Sequence, residues 1–326
     1  MFTPQSLGIA LFMMIVTAIC WGSWANTFKG VKNYRFELFY WDYALGIFLI
    51  SLILALTMGS SGGHDSSSFL HNVHSADTSN IVYALIGGAW FNLANLLLVA
   101  AIDMAGLAVA FPIAIGIALV VGVVLSYSLQ PKGSPLLLAA GVACALLAVI
   151  LDGKAYGSLS AAGRKVSRKS VITCIVSGVL MGLWAPIVTH AMTTGHALGP
   201  YSVVVFLTLG ALLSCFVWNL YFMKHPLVGD PVSFAGFFRG PASGHFLGLL
   251  GGFIWGTGTV FNLVAASFTG VAISYAIGQS APMVAALWGI LAWKEFEGSG
   301  SRAKLYLALM FVFYGLAILL VARANG

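Results

Sequence analysis

Charge is what this sequence has least of. Asp, Glu, Lys and Arg together make up 7% of its 326 residues, against about 25% in soluble domains. With 60% hydrophobic residues and a mean hydropathy of +0.97, a soluble globular fold is excluded. Cysteine is also sparse. Cys20, Cys144, Cys174 and Cys215 each lie inside an apolar segment and read as small packing residues, with no disulfide framework. No Lys or Arg precedes Leu7 and no small-residue cleavage site follows, so a signal peptide is not expected. Catalytic pairings are missing as well: the apolar segments hold no Ser–His pair, no Asp–Asp pair and no His-rich face. An enzyme, a cofactor and a metal site are therefore not expected. His71 and His74 read as a solvated pair in a polar loop, and Gly256-Thr257-Gly258 lacks the following Lys of a phosphate loop.

What is present is a series of ten apolar segments: 7–28, 37–58, about 80–103, 106–128, 134–152, 170–191, 199–223, 245–267, 270–293 and 303–322. Each is long enough to cross a bilayer as a helix, which takes about 20 apolar residues. The stretch Asp152–Lys169 carries Lys154, Arg164, Lys165, Arg168 and Lys169 and divides the chain into five plus five. The expected organisation is a five-helix repeat over 1–152, a cytoplasmic linker over 153–169 and a second five-helix repeat over 170–326.

The halves echo each other. Gly251-Gly252 through Ala272 has a weaker copy 164 residues earlier, with Gly87-Gly88 under Gly251-Gly252, Asn95 under Thr259, Gly106 under Gly270 and Ala108 under Ala272. Gly22-Ser23-Trp24-Ala25 and Gly182-Leu183-Trp184-Ala185 match at an offset of 160. An odd number of helices per half makes the second half enter from the opposite side, so the repeats are inverted, with a site at their interface. The loops after segments 1, 3, 5, 7 and 9 hold 13 Lys/Arg; the other side holds only Lys132 and Arg323. The net charge of +6 is thus a topology signal and not a nucleic-acid footprint. The basic loops are expected in the cytoplasm and both termini outside, in a plasma or inner membrane.

These features resemble the drug/metabolite transporter superfamily, and within it the ureide permease family, with sugar porters of the glucose/ribose type as relatives. The resemblance is carried by Gly22-Ser-Trp24-Ala25, Tyr40-Trp-Asp42-Tyr43, Gly141-Val-Ala-Cys144, and Gln279-Ser-Ala-Pro282 running into Leu287-Trp288-Gly289 and Glu295. It implies a proton-coupled secondary transporter of small polar organic molecules. The residues independently indicate a lined pore, because polar side chains at mid-membrane depth must face protein or a water-filled cavity. Trp255, Thr259 and Asn262 share a helix face, as do Asn92 and Asn95; Thr17, Trp21, Trp24 and Phe28 form a stripe; Gln279 and Ser280 stand one turn before Pro282.

The expected substrate-binding set is Trp21, Trp24, Asn92, Asn95, Trp255, Thr259, Asn262, Gln279 and Ser280, closing on an uncharged, amide-rich ring such as allantoin or a nucleobase. Asn95 and Thr259 are expected to face each other across the repeat axis. A sugar porter is the alternative, and an amino-acid or drug exporter a weaker one, since the first segment has no acid to meet a cation. Asp42 is the one acid well inside a segment. It is either the proton carrier or the partner of Lys29, Lys32 or Arg35. Glu37, Asp103, Asp152 and Glu295 stand at segment ends as interfacial groups. Trp218 and Trp293 read as interfacial anchors, whereas Trp21, Trp24, Trp90 and Trp255 lie too deep for that. The expected partners are the lipid bilayer, a small-molecule substrate and protons, with a homodimer left open and nucleic acid excluded.

Overall fold

The computed structural model describes residues 1–32, 34–61, 68–159 and 167–324. Ten helices long and apolar enough to cross a membrane run through it, and the protein is an all-α integral membrane protein: α1 Leu7–Lys29, α2 Phe36–Ser60, α3 Thr78–Ala105, α4 Leu107–Leu129, α5 Pro135–Gly157, α6 Arg168–Thr193, α7 Pro200–Lys224, α8 Ala242–Thr269, α9 Val271–Leu291 and α10 Ser301–Ala324. Hydrocarbon offers no partner for backbone N–H and C=O groups, so helices that satisfy their own are the form such segments take. Their free ends are tied by local polar residues. The Ser6 and Ser134 hydroxyls accept from Ile9 N and Leu137 N, and Ser167 and Ser170 form a reciprocal capping box.

Alternate connections gather at one end, the basic end, with Lys29, Arg35, Lys169 and Glu295; the other end holds Phe2, Asp77, Lys132 and His196. Arg164 and Lys165 lie outside the described residues. The 59–79 stretch is not all loop: Phe69–Ser75 is helical, capped by Ser68, with Phe69 buried. Asn72 bridges from it to the α6–α7 connection, donating to Ala197 O at 3.1 Å and accepting from Gly199 N at 2.8 Å.

Glycines set the closest helix crossings. A Cβ on Gly46 of α2 would meet Leu249 O of α8 at 2.5 Å, and one on Gly252 of α8 would meet Tyr43 O of α2 at 2.3 Å. In α7 and α3 the same happens: a Cβ on Gly210 would meet Leu85 O at 2.1 Å, and one on Gly88 would meet Leu207 O at 1.8 Å. Adding 164 turns Gly46 into Gly210, Leu85 into Leu249, Gly88 into Gly252 and Tyr43 into Leu207. One crossing is therefore the image of the other with the halves exchanged, the relation that an inverted repeat requires. The sharp turns agree. Gly106 between α3 and α4 has φ 78, ψ 162, and Gly270 between α8 and α9 has φ 87, ψ 154, a left-handed region open to glycine.

Two membrane helices are broken where the site lies. α1 is interrupted at Trp24, between Leu7–Ser23 and Ala25–Lys29. α9 is interrupted at Gln279–Ser280, between Val271–Gly278 and Ala281–Leu291. Pro282 has no N–H for the helical ladder, so the break costs little there. Neither interruption is unwound: Trp24 keeps helical dihedrals and its N–H bonds Cys20 O, while the N–H groups of Gln279 and Ser280 bond Tyr275 O and Ile277 O, each at 3.0 Å.

Candidate functional site

Both breaks face a central cavity of about 310 Å³. Its walls are aromatic. Trp21 and Trp255 stack with centroids 6.0 Å apart and planes at 15°, and Trp255 stacks on Phe91 at 4.4 Å and 26°. Trp184 meets Trp21 edge-on at 6.2 Å and is itself met edge-on by Tyr275 at 5.4 Å. Trp24 lies against Tyr43 at 4.5 Å. Such offset and edge-to-face packing holds rings in fixed planes. The Trp21 indole is fixed further: its Nε1 donates to Thr259 Oγ1 at 3.1 Å, and Thr259 Oγ1 donates to Trp255 O at 3.0 Å.

Polar groups on this lining are few. Asn95 reaches in from α3, its Nδ2 donating to Tyr40 OH at 3.4 Å. Gln279 reaches in from the break in α9. Asp103, near the end of α3, supplies a carboxylate to the lining, which includes no Lys or Arg among the described residues. A second cavity of about 360 Å³ continues toward the basic end, sharing Phe28, Phe36, Val99 and Asp103 with the first. There Arg35 grips Glu37 through two hydrogen bonds, of 2.5 and 3.1 Å, and donates to Asp230 O at 2.8 Å and Val228 O at 3.2 Å. Its charge is compensated before any solute arrives.

Of the residues expected from sequence, Trp21, Trp24, Asn95, Trp255 and Gln279 line the central cavity. The others stand behind it. Asn92 is about 60° from Asn95 around α3, and that turns it onto α7, where its Nδ2 donates to Ser214 Oγ at 2.7 Å and Ala211 O at 3.1 Å. Asn262 keeps the face of Trp255 but lies about 10 Å farther along α8. There it is buried against α9, its Nδ2 donating to Ser274 O at 2.9 Å while its backbone carbonyl accepts from Ser274 Oγ at 2.6 Å. Thr259 orients Trp21, and Ser280 is buried in the α9 break. Asn95 and Thr259 each bond to another residue; the repeat-related pair in contact is Phe91 and Trp255. Trp90 is exposed on the outside of the bundle.

Asp42 lines neither cavity. Its partner is none of the three basic residues expected: Oδ2 lies 2.7 Å from His245 Nδ1 of α8. Lys29 pairs with Glu295, and Arg35 with Glu37. The ring of Tyr34 stands edge-on to His245, and burial, with the Asp42 charge added, pushes its phenol up to about 12. Asp103 and Asp152 are also not simply interfacial, the first lining both cavities and the second 1% exposed within α5.

Phe91, Ile115, Met181 and Trp184 are lining residues that reading segment by segment passes over. The offsets mark them: Phe91 and Ile115 fall under Trp255 and Gln279 at 164, and Met181 and Trp184 under Trp21 and Trp24 at 160.

A bundle of ten membrane helices closed around a small aromatic cavity has the build of a membrane transport protein. The comparisons agree. The ureide permease family profile matches residues 39–173 and 165–323. Ureide permease 1 of Arabidopsis thaliana is 23% identical over 389 aligned positions, covering 100% of this chain and 99% of the relative, and ureide permease 2 of the same plant is 22% identical over 397. A probable ureide permease A3 of Vigna unguiculata is 29% identical over 167 positions, 49% of this chain and 44% of its own length. A crystal structure of a protein 16% identical superposes with a TM-score of 0.66, covering 97% of this chain and 99% of its own, a likeness of fold. The chain belongs to the ureide permease family, whose members are transporters and not enzymes.

Proposed function

We propose that this protein is a secondary active transporter of a small uncharged polar metabolite, of ureide or nucleobase type such as allantoin, coupled to protons and working by alternating access. The observation that carries the reading is the lining itself: among the described residues it has flat indole walls, the amides of Asn95 and Gln279, and no Lys or Arg. A planar ring with alternating N–H and C=O groups stacks on Trp21, Trp24 or Trp255 while Asn95 and Gln279 donate to it and accept from it. An anion finds no Lys or Arg among the described residues of that lining. The comparisons do not favour the sugar-porter alternative.

In this reading Asn92, Thr259, Asn262 and Ser280 act from behind, fixing the helices and rings that bear the contacts. The basic end faces the cytoplasm, both termini lie outside, and the structure is an inward-facing state whose second cavity is the exit. Asp42 carries the proton. Protonation would remove the carboxylate charge that Asp42 presents to His245 Nδ1 at the α2–α8 contact, where a Cβ on Gly248 would touch Asp42 Cβ at 2.6 Å. A change there moves α8, and with it Trp255, relative to α2. The test is uptake of labelled allantoin, uracil and a hexose into proteoliposomes, with and without a pH gradient. Accumulation of the hexose alone would reverse the assignment.

A further inference from the structure

Asp152 is the acid that nothing so far uses. It lies 1% exposed on α5, five residues before that helix ends at Gly157. Its Oδ1 has no hydrogen-bond partner, and no ion pair to it occurs among the described residues. Facing it from α10 is Tyr314, 0% exposed, whose hydroxyl is likewise unpartnered. An ionised carboxylate cannot be held in such a seam without a counter-charge or donors. A hard metal cation takes about six oxygen ligands, and no cluster of three or more His, Cys, Asp or Glu that could hold one occurs among the described residues. A proton meets the requirement alone.

A route to water is present. Tyr156 follows Asp152 by one turn on the same face of α5, close enough to feel its charge. The Tyr156 hydroxyl donates to Glu295 Oε2 at 3.2 Å, and the other oxygen of Glu295 pairs with Lys29 at the end of α1. The Lys29 and Glu295 side chains are 45% and 28% exposed. Lys29 Nζ lies 4.5 Å over the Trp293 ring, and Trp293 Nε1 donates to Asn26 Oδ1 at 2.5 Å. The other titratable groups around the seam are Lys154 on α5 and Tyr306 on α10, which face each other at 5.9 Å; α4, also packed on α5, bears no charged side chain.

We propose that Asp152 is a proton-binding site separate from the central cavity, exchanging its proton with water at the basic end through Tyr156 and Glu295. Loading makes one O–H bond on the carboxylate with a proton drawn from that water, and release returns it. When Asp152 is neutral, the Tyr156 hydroxyl is left to Glu295, as in this structure. When Asp152 is ionised, the hydroxyl turns to it, and Glu295 loses a bond in the link that holds α1, the helix of Trp21 and Trp24. Only this consequence rests on the transport reading; the site itself does not.

Infrared difference spectra of the purified full chain, titrated with acid and base, read the site without any substrate. The expected result is a neutral carboxylic-acid C=O band near neutral pH, sensitive to deuterium, lost in Asp152→Asn and shifted in Tyr156→Phe and Tyr314→Phe. The two Tyr variants keep the test open where Asp152→Asn does not fold. A band unchanged in all three variants, no neutral-acid band at neutral pH, or displacement of the band by sodium at fixed pH each overturns the site. In proteoliposomes, Tyr156→Phe should lose the dependence of substrate exchange on pH at the basic end. Unchanged dependence beside a shifted band overturns the link to α1 and leaves the proton site standing.

Discussion

Phe91 and Trp255, equivalent positions of the two halves, stack on each other with ring centroids 4.4 Å apart. Equivalent residues related by a two-fold can touch only where the axis passes, so an inverted repeat would put its axis between these rings, at the wall of the cavity. Opening at one end is then expected to mirror opening at the other, by a slide of the two ring planes that need not unstack them.

The paired crossings lead to a stability prediction. A methyl group on Gly46 or Gly210 has a carbonyl oxygen at 2.5 or 2.1 Å, so Gly46→Ala and Gly210→Ala should each cost about 1–3 kcal/mol through overpacking. Gly315→Ala, with nothing within 4 Å, should be neutral or stabilising. Thermal melts in detergent decide it; equal melting of all three would remove the crossings as the determinant of packing.

Substrate affinity should separate the asparagines. Asn95→Leu and Gln279→Leu each remove a hydrogen-bonding group from the lining, at about 1–3 kcal/mol or roughly ten- to a hundredfold in affinity. Asn92→Leu and Asn262→Leu should instead lower the melting temperature and leave the affinity of the folded fraction intact. Binding to purified protein, not transport, is the measurement. Unchanged affinity in both cavity variants would place the substrate elsewhere.

Coupling is tested at Asp42. Asp42→Asn should abolish pH-driven accumulation and preserve counterflow exchange, which needs no net proton movement. If Asp42 only anchors α2 to α8 through His245, then Asp42→Asn and His245→Ala should both reduce folded yield, with no such split. Accumulation at the wild-type level in Asp42→Asn ends the proposal.

Orientation is tested by single cysteines in a cysteine-free background. Ser75 is exposed at one end of the bundle and Ser167 at the basic end; Ser66, in the same connection as Ser75, lies outside the described residues. An impermeant thiol reagent added to intact cells should label Ser75→Cys and spare Ser167→Cys. The reverse pattern would turn the protein over and exchange entry for exit.

The sequence by itself determined the class of fold and the ten spans, because apolar length and the placing of Lys and Arg act locally and survive without knowledge of any neighbour. It also pointed to the interruption of α9, since Pro282 brings no N–H to its own backbone, whereas the one at Trp24 of α1 carries no such mark. It placed Trp21, Trp24, Asn95, Trp255 and Gln279 at the cavity. What it could not decide was partnership. Asn92 and Asn95 look alike three residues apart, and only the position of α7 turns one away from the cavity. Asp42 has three basic residues close by in sequence, yet its partner is His245, about two hundred positions on. Asp152 sits near a basic stretch and was readable as interfacial, until α10 closed over it and left its oxygen without a partner. Helix periodicity fixes the face on which a side chain stands. What that face meets is set by helix packing, where crossings such as Gly46–Gly252 bring distant residues within a few ångströms.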